Sequence, residues 1–311
     1  MSFAIIFPGQ GSQSMGMLAE LSNDWPQVAE TFAQASEALG YDLWQLVQEG
    51  PEADLNQTAK TQPAMLAAGL ACLRVWLAAG GATPTHFAGH SLGEYTALVA
   101  SGAIDFAAAI KLVEKRGQLM QAAVPQGQGA MAAILGLTDE QVIEVCAQAA
   151  QGEVVQAVNF NAPGQVVVAG ASAAVERAVD AAKQAGSKRA LMLPVSVPSH
   201  CSLMTEAAAE LANSLKQLEI NTPTIKVIHN VDVASHDSAD AIRDVLAKQL
   251  YSPVRWVESI QALSQSGVSS LVECGPGKVL AGLTKRINRE VTALPVFDTA
   301  SLAKALDAHK A

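Results

Sequence analysis

Short apolar runs alternate with stretches of helical periodicity along most of the chain, and the alternation predicts strands and helices in turn. Residues 3–7 form an apolar run of strand length, and the glycine-rich loop Pro8-Gly9-Gln10-Gly11-Ser12-Gln13 follows. Helical patterns cover 25–39 and 62–79. A second short strand at 85–88 precedes a helix at 94–99, and a longer helix runs over 105–122. Short apolar strands between amphipathic helices predict a parallel sheet covered on both faces.

The rhythm changes at Pro125-Gln126-Gly127-Gln128-Gly129, which reads as a linker. Beyond it lie a strand at 130–135, a helix at 139–149 with Thr138 as cap and Gln141 at the third helical position, and a strand at 154–159. A turn at Asn161-Ala162-Pro163-Gly164 leads to a strand at 165–169, a helix capped by Ser172 and reaching 185, and a strand at 189–195. The order β-α-β-β-α-β is that of a ferredoxin-like unit. We expect residues 126–195 to be a small α+β domain inserted into a large α/β domain of residues 1–125 and 196–311. The α/β alternation then resumes: helix 203–218, strand 225–229, helix 239–250, strand 268–273, a turn at Gly275-Pro276-Gly277 into a helix ending near Arg289, and strand 292–296.

Composition narrows the function classes. Half of the 311 residues are hydrophobic and 16% are charged, enough for a large core. The net charge of −9 argues against nucleic acid as a partner, and any anionic partner must dock on a local basic cluster. Four scattered cysteines without a CxxC pair predict reduced thiols in a cytoplasmic protein, and six histidines without an HExxH predict no metal site. The N-terminus lacks a basic n-region and reads as a strand, not a signal peptide. The most apolar stretch, 64–79, is interrupted by Arg74 and too short to span a bilayer, so no membrane is expected. No exposed apolar stripe is evident, and a monomer is expected.

The chemistry centres on Gly89-His90-Ser91-Leu92-Gly93, a G-x-S-x-G between a predicted strand and a predicted helix. In that context the serine sits on a sharp turn that exposes its hydroxyl, as in an α/β-hydrolase-like large domain with a mostly parallel sheet. The plain alternative is a glycine-rich loop ending in a serine helix cap. A nucleophile needs a base. His90 adjoins Ser91, and adjacent side chains at such a turn point apart. His200, in Pro198-Ser199-His200-Cys201 where the chain re-enters the large domain, is the candidate, against the alternative of a packed core histidine. Between Ser91 and His200 no acid recommends itself, so a Ser–His dyad oriented by a main-chain carbonyl stands beside a triad.

Four motifs in order, Phe7-Pro8-Gly9-Gln10-Gly11-Ser12-Gln13, Gly89-His90-Ser91-Leu92-Gly93-Glu94-Tyr95, Lys115-Arg116-Gly117-Gln118-Leu119-Met120 and Val197-Pro198-Ser199-His200, resemble the malonyl-CoA:acyl carrier protein transacylases of bacterial fatty acid synthesis. The resemblance implies Ser91 as nucleophile, His200 as general base, and the amides of Gln10 and Leu92 as oxyanion hole. It implies Arg116 as partner of the malonyl carboxylate, for which a guanidinium offers a planar fork. By itself Arg116 sits in a charged stretch and reads as part of a solvated face. Gln249 matches the position whose carbonyl orients the histidine, Met120 and Asn159 join the substrate site, and Asn161 and Asn230 support it.

The implied partners are malonyl-CoA and an acidic acyl carrier protein, with no cofactor. Two basic clusters offer docking: Lys183, Lys188 and Arg189, and Lys278, Lys285, Arg286 and Arg289. The competing readings are an esterase or lipase on the same elbow, and a degenerate relative that only binds. Within the transferase reading, methylmalonyl and a polyketide pathway stand beside malonyl and fatty acid synthesis.

Overall fold

The computed structural model describes residues 2–195 and 197–309. The chain opens with β1 (Ser2–Phe7), α1 (Ala19–Asp24), α2 (Pro26–Leu39), α3 (Leu43–Glu49), α4 (Glu52–Leu55), α5 (Thr58–Ala78), β2 (His86–Gly89), α6 (Gly93–Ala100) and α7 (Phe106–Ala122). A second group follows: β3 (Gly129–Leu135), α8 (Asp139–Ala150), β4 (Val155–Ala162), β5 (Gln165–Ala171), α9 (Ser172–Gln184) and β6 (Arg189–Met192). The chain closes with α10 (Thr205–Gln217), β7 (Lys226–Ile228), α11 (Ala239–Gln249), α12 (Trp256–Gln265), β8 (Val268–Cys274), α13 (Val279–Ile287), β9 (Thr292–Val296) and α14 (Thr299–Ala308).

Two sheets result. The first has strand order β7-β2-β1-β8-β9 with every neighbour parallel. Its central strand β1 is apolar on both faces because helices cover both, and it is buried from Phe3 through Phe7. The second sheet is antiparallel in the order β4-β5-β3-β6, the ferredoxin-like arrangement, with α8 and α9 packed on it through a separate apolar cluster that includes Val142, Val145, Val175 and Val179. The α/β class with a mostly parallel sheet and a smaller ferredoxin-like α+β part is therefore observed.

The two parts are stitched by main-chain bonds. Val254 donates to Val158 (2.8 Å) and accepts from Phe160 (3.0 Å), so a segment of the large part extends the small sheet beyond β4. Among the described residues no helix is long and apolar enough to cross a membrane. All four cysteines are free and buried.

Several local expectations need correction. Helix α5 begins at Thr58, not at residue 62, and carries Pro63 within it. The first turn is held because α7 packs on it: a Cβ at Gly117 would lie 2.6 Å from Ala59 Cα, so only glycine permits this approach. Ser172 is not a cap; Ala171 holds that position, and the Ser172 hydroxyl donates to the Gly127 carbonyl (2.8 Å). Strand β5 runs straight into α9, so Ser172 is already helical. The hairpin between β4 and β5 turns on Pro163-Gly164 alone, with Gly164 at φ 70°.

Candidate active site

Ser91 stands between β2 and α6 at φ 52°, in the left-handed region that non-glycine residues seldom occupy. Its neighbours make the bend possible. A Cβ at Gly89 would fall 1.9 Å from the Gly93 carbonyl carbon, and one at Gly93 would fall 2.1 Å from the Phe7 oxygen. Asn230 clamps the turn: its Oδ1 accepts from the Ser91 amide (2.7 Å) and its Nδ2 donates to the Gly89 carbonyl (2.7 Å). Such strain at a half-buried hydroxyl, held by its surroundings, is a mark of functional sites.

His200, 109 residues away in sequence, faces that hydroxyl, with Ser91 Oγ 2.8 Å from His200 Nε2. The other ring nitrogen, Nδ1, lies 2.7 Å from the Gln249 carbonyl oxygen. A carbonyl only accepts, so in the neutral ring Nδ1 carries the proton and Nε2 is free to take one. The orienting partner is thus a main chain, not a carboxylate. His200 is itself at φ 66° and donates its amide to the Leu250 carbonyl (2.9 Å), which ties it to the end of α11. Burial, and then the Arg116 charge, push its pKa down to about 3, so the ring is neutral near pH 7.

Arg116 is no surface residue; it is 1% exposed on the inner face of α7. Its Nη1 donates to Gln62 Oε1 (2.8 Å), and its Nη2 donates to Gln249 Oε1 (2.9 Å) and, more weakly, to Ser91 Oγ (3.4 Å). The guanidinium carbon lies 5.3 Å from the centre of the Tyr95 ring. Among the described residues Arg116 Nε is buried without a hydrogen-bond partner. Burial lowers the Arg116 pKa from its ordinary value, and Tyr95 and then Glu94 oppose the shift.

Gln249 therefore acts at both ends: its carbonyl holds His200, while its side chain holds Arg116 and donates to the Ser91 carbonyl (3.0 Å). Met120 enters at one remove, accepting from Gln62 Nε2 at 3.5 Å. Leu92 is buried and immediately precedes α6, whose first amides, of Gly93, Glu94 and Tyr95, donate to the carbonyls of His90 (2.9 Å), Ser91 (3.1 Å) and Leu92 (3.0 Å). Gln10 lies beside Gly9, which is pressed on the His90 carbonyl; the Gln10 side chain donates to Thr58 Oγ1 (3.3 Å). Asn161 meets His90 Nε2 at 2.7 Å, joining the small sheet to the nucleophile turn. Asn159 shares no hydrogen bond with this group; its Oδ1 is buried without a partner among the described residues.

Three participants escaped the sequence reading. Gln62 offers no signal beyond its place in an apolar helix. Glu94 does: it is an acid in the otherwise uncharged run of α6, and it is fully buried. His229 was one of six histidines without context, yet its Nδ1 lies 2.7 Å from Glu94 Oε1. The two basic clusters partly converge, since Lys188, Arg189 and Arg286 line one cleft of about 770 Å³ together with Asp139 and Glu140.

A model of the acyl transferase domain family matches residues 4–304. The chain is 60% identical over 300 residues to the malonyl CoA-acyl carrier protein transacylase of Haemophilus influenzae, covering 96% of each chain. The chain belongs to this transacylase family. It is an acyltransferase. The transacylase of Escherichia coli K12 is 57% identical over 305 residues, 98% of this chain and 99% of that one. Among solved transacylases, that of Coxiella burnetii superposes with a TM-score of 0.98 at 53% identity, covering 100% of this chain and 98% of the other. A malonyl-transacylase solved in complex with its type II PKS acyl-carrier protein gives 0.98 at 57% identity, covering 99% and 100%.

Proposed function

We propose that the protein carries malonyl from malonyl-CoA to the phosphopantetheine thiol of acyl carrier protein through an ester on Ser91. The reading rests on one observation: the Ser91 hydroxyl lies between a neutral base, His200 Nε2 at 2.8 Å, and a buried guanidinium, Arg116 Nη2 at 3.4 Å. A nucleophile beside a carboxylate receptor suits an acyl group that ends in a carboxylate. An esterase pocket has no need of that charge.

In the first half-reaction Ser91 Oγ gives its proton to His200 Nε2 and attacks the thioester carbonyl. The amides of Gln10 and Leu92 receive the oxyanion. The C–S bond breaks, and the coenzyme A thiolate leaves with the proton from His200. In the second, the carrier thiol passes its proton to His200, attacks the malonyl ester, and expels Ser91 oxygen, which recovers the proton. Malonyl's free carboxylate takes the Nε–Nη2 edge of Arg116, where Nε has no protein partner among the described residues. That pairing also removes part of the positive field on His200, so the bound substrate makes its own base stronger.

The carrier docks on the cleft that brings Lys188, Arg189 and Arg286 together, and the product, malonyl carrier protein, supplies fatty acid synthesis. The decisive experiment is to mix enzyme with malonyl-CoA, quench in acid, and map the acylated peptide. A malonyl adduct on Ser91, lost in Ser91→Ala and strongly reduced in Arg116→Ala, is expected. An adduct elsewhere, or full malonyl loading of Arg116→Ala, overturns the reading.

A further inference from the structure

Behind the reacting groups lies a carboxylate that the two half-reactions do not use. Glu94 is fully buried on α6, and three donors converge on it. Oε1 accepts from His229 Nδ1 (2.7 Å); Oε2 accepts from the Asn230 amide (2.9 Å) and from Gln249 Nε2 (2.9 Å). Each link leads to the site. Asn230 clamps the Ser91 turn, and Gln249 holds His200 with its carbonyl and Arg116 with its side chain.

The chemistry of an amide makes the Gln249 link directional. Its oxygen faces a guanidinium, which only donates; its nitrogen faces the Ser91 carbonyl and a carboxylate, which only accept. A flipped amide would turn all three contacts repulsive. Glu94 thereby locks Gln249 with its oxygen toward Arg116. It does so without a hydrogen bond to Arg116, and among the described residues no carboxylate pairs with the guanidinium. A direct ion pair there would compete with malonyl.

We propose that Glu94 is a positioning residue for acyl selection, acting through Gln249 to hold Arg116 at the angle that receives the substrate carboxylate. The proposal rests on the reading of Arg116 given above. Its test is the ratio of Ser91 loading rates with malonyl-CoA and acetyl-CoA, by quenched flow and normalised to active sites. Glu94→Asp keeps the charge but withdraws it by one methylene from Gln249; Glu94→Gln keeps an acceptor within reach of Gln249 and Asn230. The ratio is expected to fall roughly fivefold or more in Glu94→Asp, the scale of coupling through a shared partner. Glu94→Gln is expected to stay within about twofold of the parent, since the lost charge is not the operative feature. Gln249→Leu, which keeps the main-chain carbonyl, lowers the ratio alike, and the double variant with Glu94→Asp falls no further.

A purely structural role for Glu94 slows both substrates equally. An unchanged ratio in Glu94→Asp, or independent effects in the double variant, overturns the proposal. If Glu94→Asp lacks the circular dichroism of the parent, Glu94→Ala takes its place in the same comparison. Arg116→Ala separates the two levels: if it leaves the ratio unchanged the acyl-pocket reading fails, whereas a lowered ratio there with none in Glu94→Asp sinks only the role of Glu94.

Discussion

At the scale of single residues, environment decides which groups do chemistry. His200 sits in apolar surroundings beside a positive charge, and both disfavour the imidazolium. Its pKa is held near 3 rather than 6.5, so protonation removes the base only at pH values well below the ordinary histidine range. The rate of Ser91 loading should therefore show no acid limb centred near pH 6.5 in stopped-flow profiles; a limb there would mean that the base titrates as an exposed histidine. Arg116 offers a second residue-scale prediction. A lysine carries the charge but not the planar fork, so Arg116→Lys should slow malonyl loading by about tenfold or more while acetyl loading changes little. Equal loss with both acyl groups in that variant would count against bidentate recognition. Ser91 and His200 could be read from the chain because each sits in a telling context, a strand–turn–helix and a crossing between domains. Arg116 and Gln249 could be named only from resemblance. Gln62 could not be found at all, because nothing marks a glutamine in an apolar helix until its partner is known.

At the scale of elements, a glycine sets the distance between two helices of the candidate site. Helices α5 and α7 deliver Gln62 and Arg116 to one another, and they pack tightly at Gly117, beside Arg116. A valine there must part the helices, since its Cβ would meet Ala59 Cα at 2.6 Å and the Thr58 oxygen at 2.7 Å. Gly117→Val should lower stability in urea by about 1–3 kcal/mol and reduce malonyl loading with it. Unaltered stability in that variant would mean that the helices meet elsewhere. The periodic pattern located strands and long helices well, with boundaries shifted by a few residues. It missed short helices such as α3 and α4, whose seven and four residues give too few turns for periodicity to emerge, and it also passed over α12 and α14, of ten residues each. It also placed the start of α5 not at Thr58 but at residue 62, beside Pro63. Tertiary packing against α7 carries the helix past it.

At the scale of the whole molecule, an acidic protein presents a local basic face. The chain carries a net charge of −9, yet Lys188 and Arg189 at the start of β6 and Arg286 from α13 line the same cleft. Arg286 also bonds Gln165 at the β4–β5 hairpin, so the two parts share this surface. Reversing all three charges should slow transfer to an acidic carrier at low salt by roughly tenfold or more, while leaving Ser91 loading from malonyl-CoA less affected. Added salt should narrow the gap between variant and parent. Carrier kinetics that ignore both charge reversal and salt would place docking elsewhere.

Read by itself, the chain determines its classes of element, the α/β alternation, the interruption by a β-α-β-β-α-β unit and the strand–turn–helix setting of Ser91. These follow from local pattern, since periodicity and turn chemistry are properties of neighbours in sequence. The orienting carbonyl of Gln249, the burial of Arg116 and the Glu94 hub were decided only in three dimensions. Their hydrogen-bond partners lie 25 to 158 residues apart in sequence, and a main-chain carbonyl or a buried charge has no signature in sequence until another element closes over it.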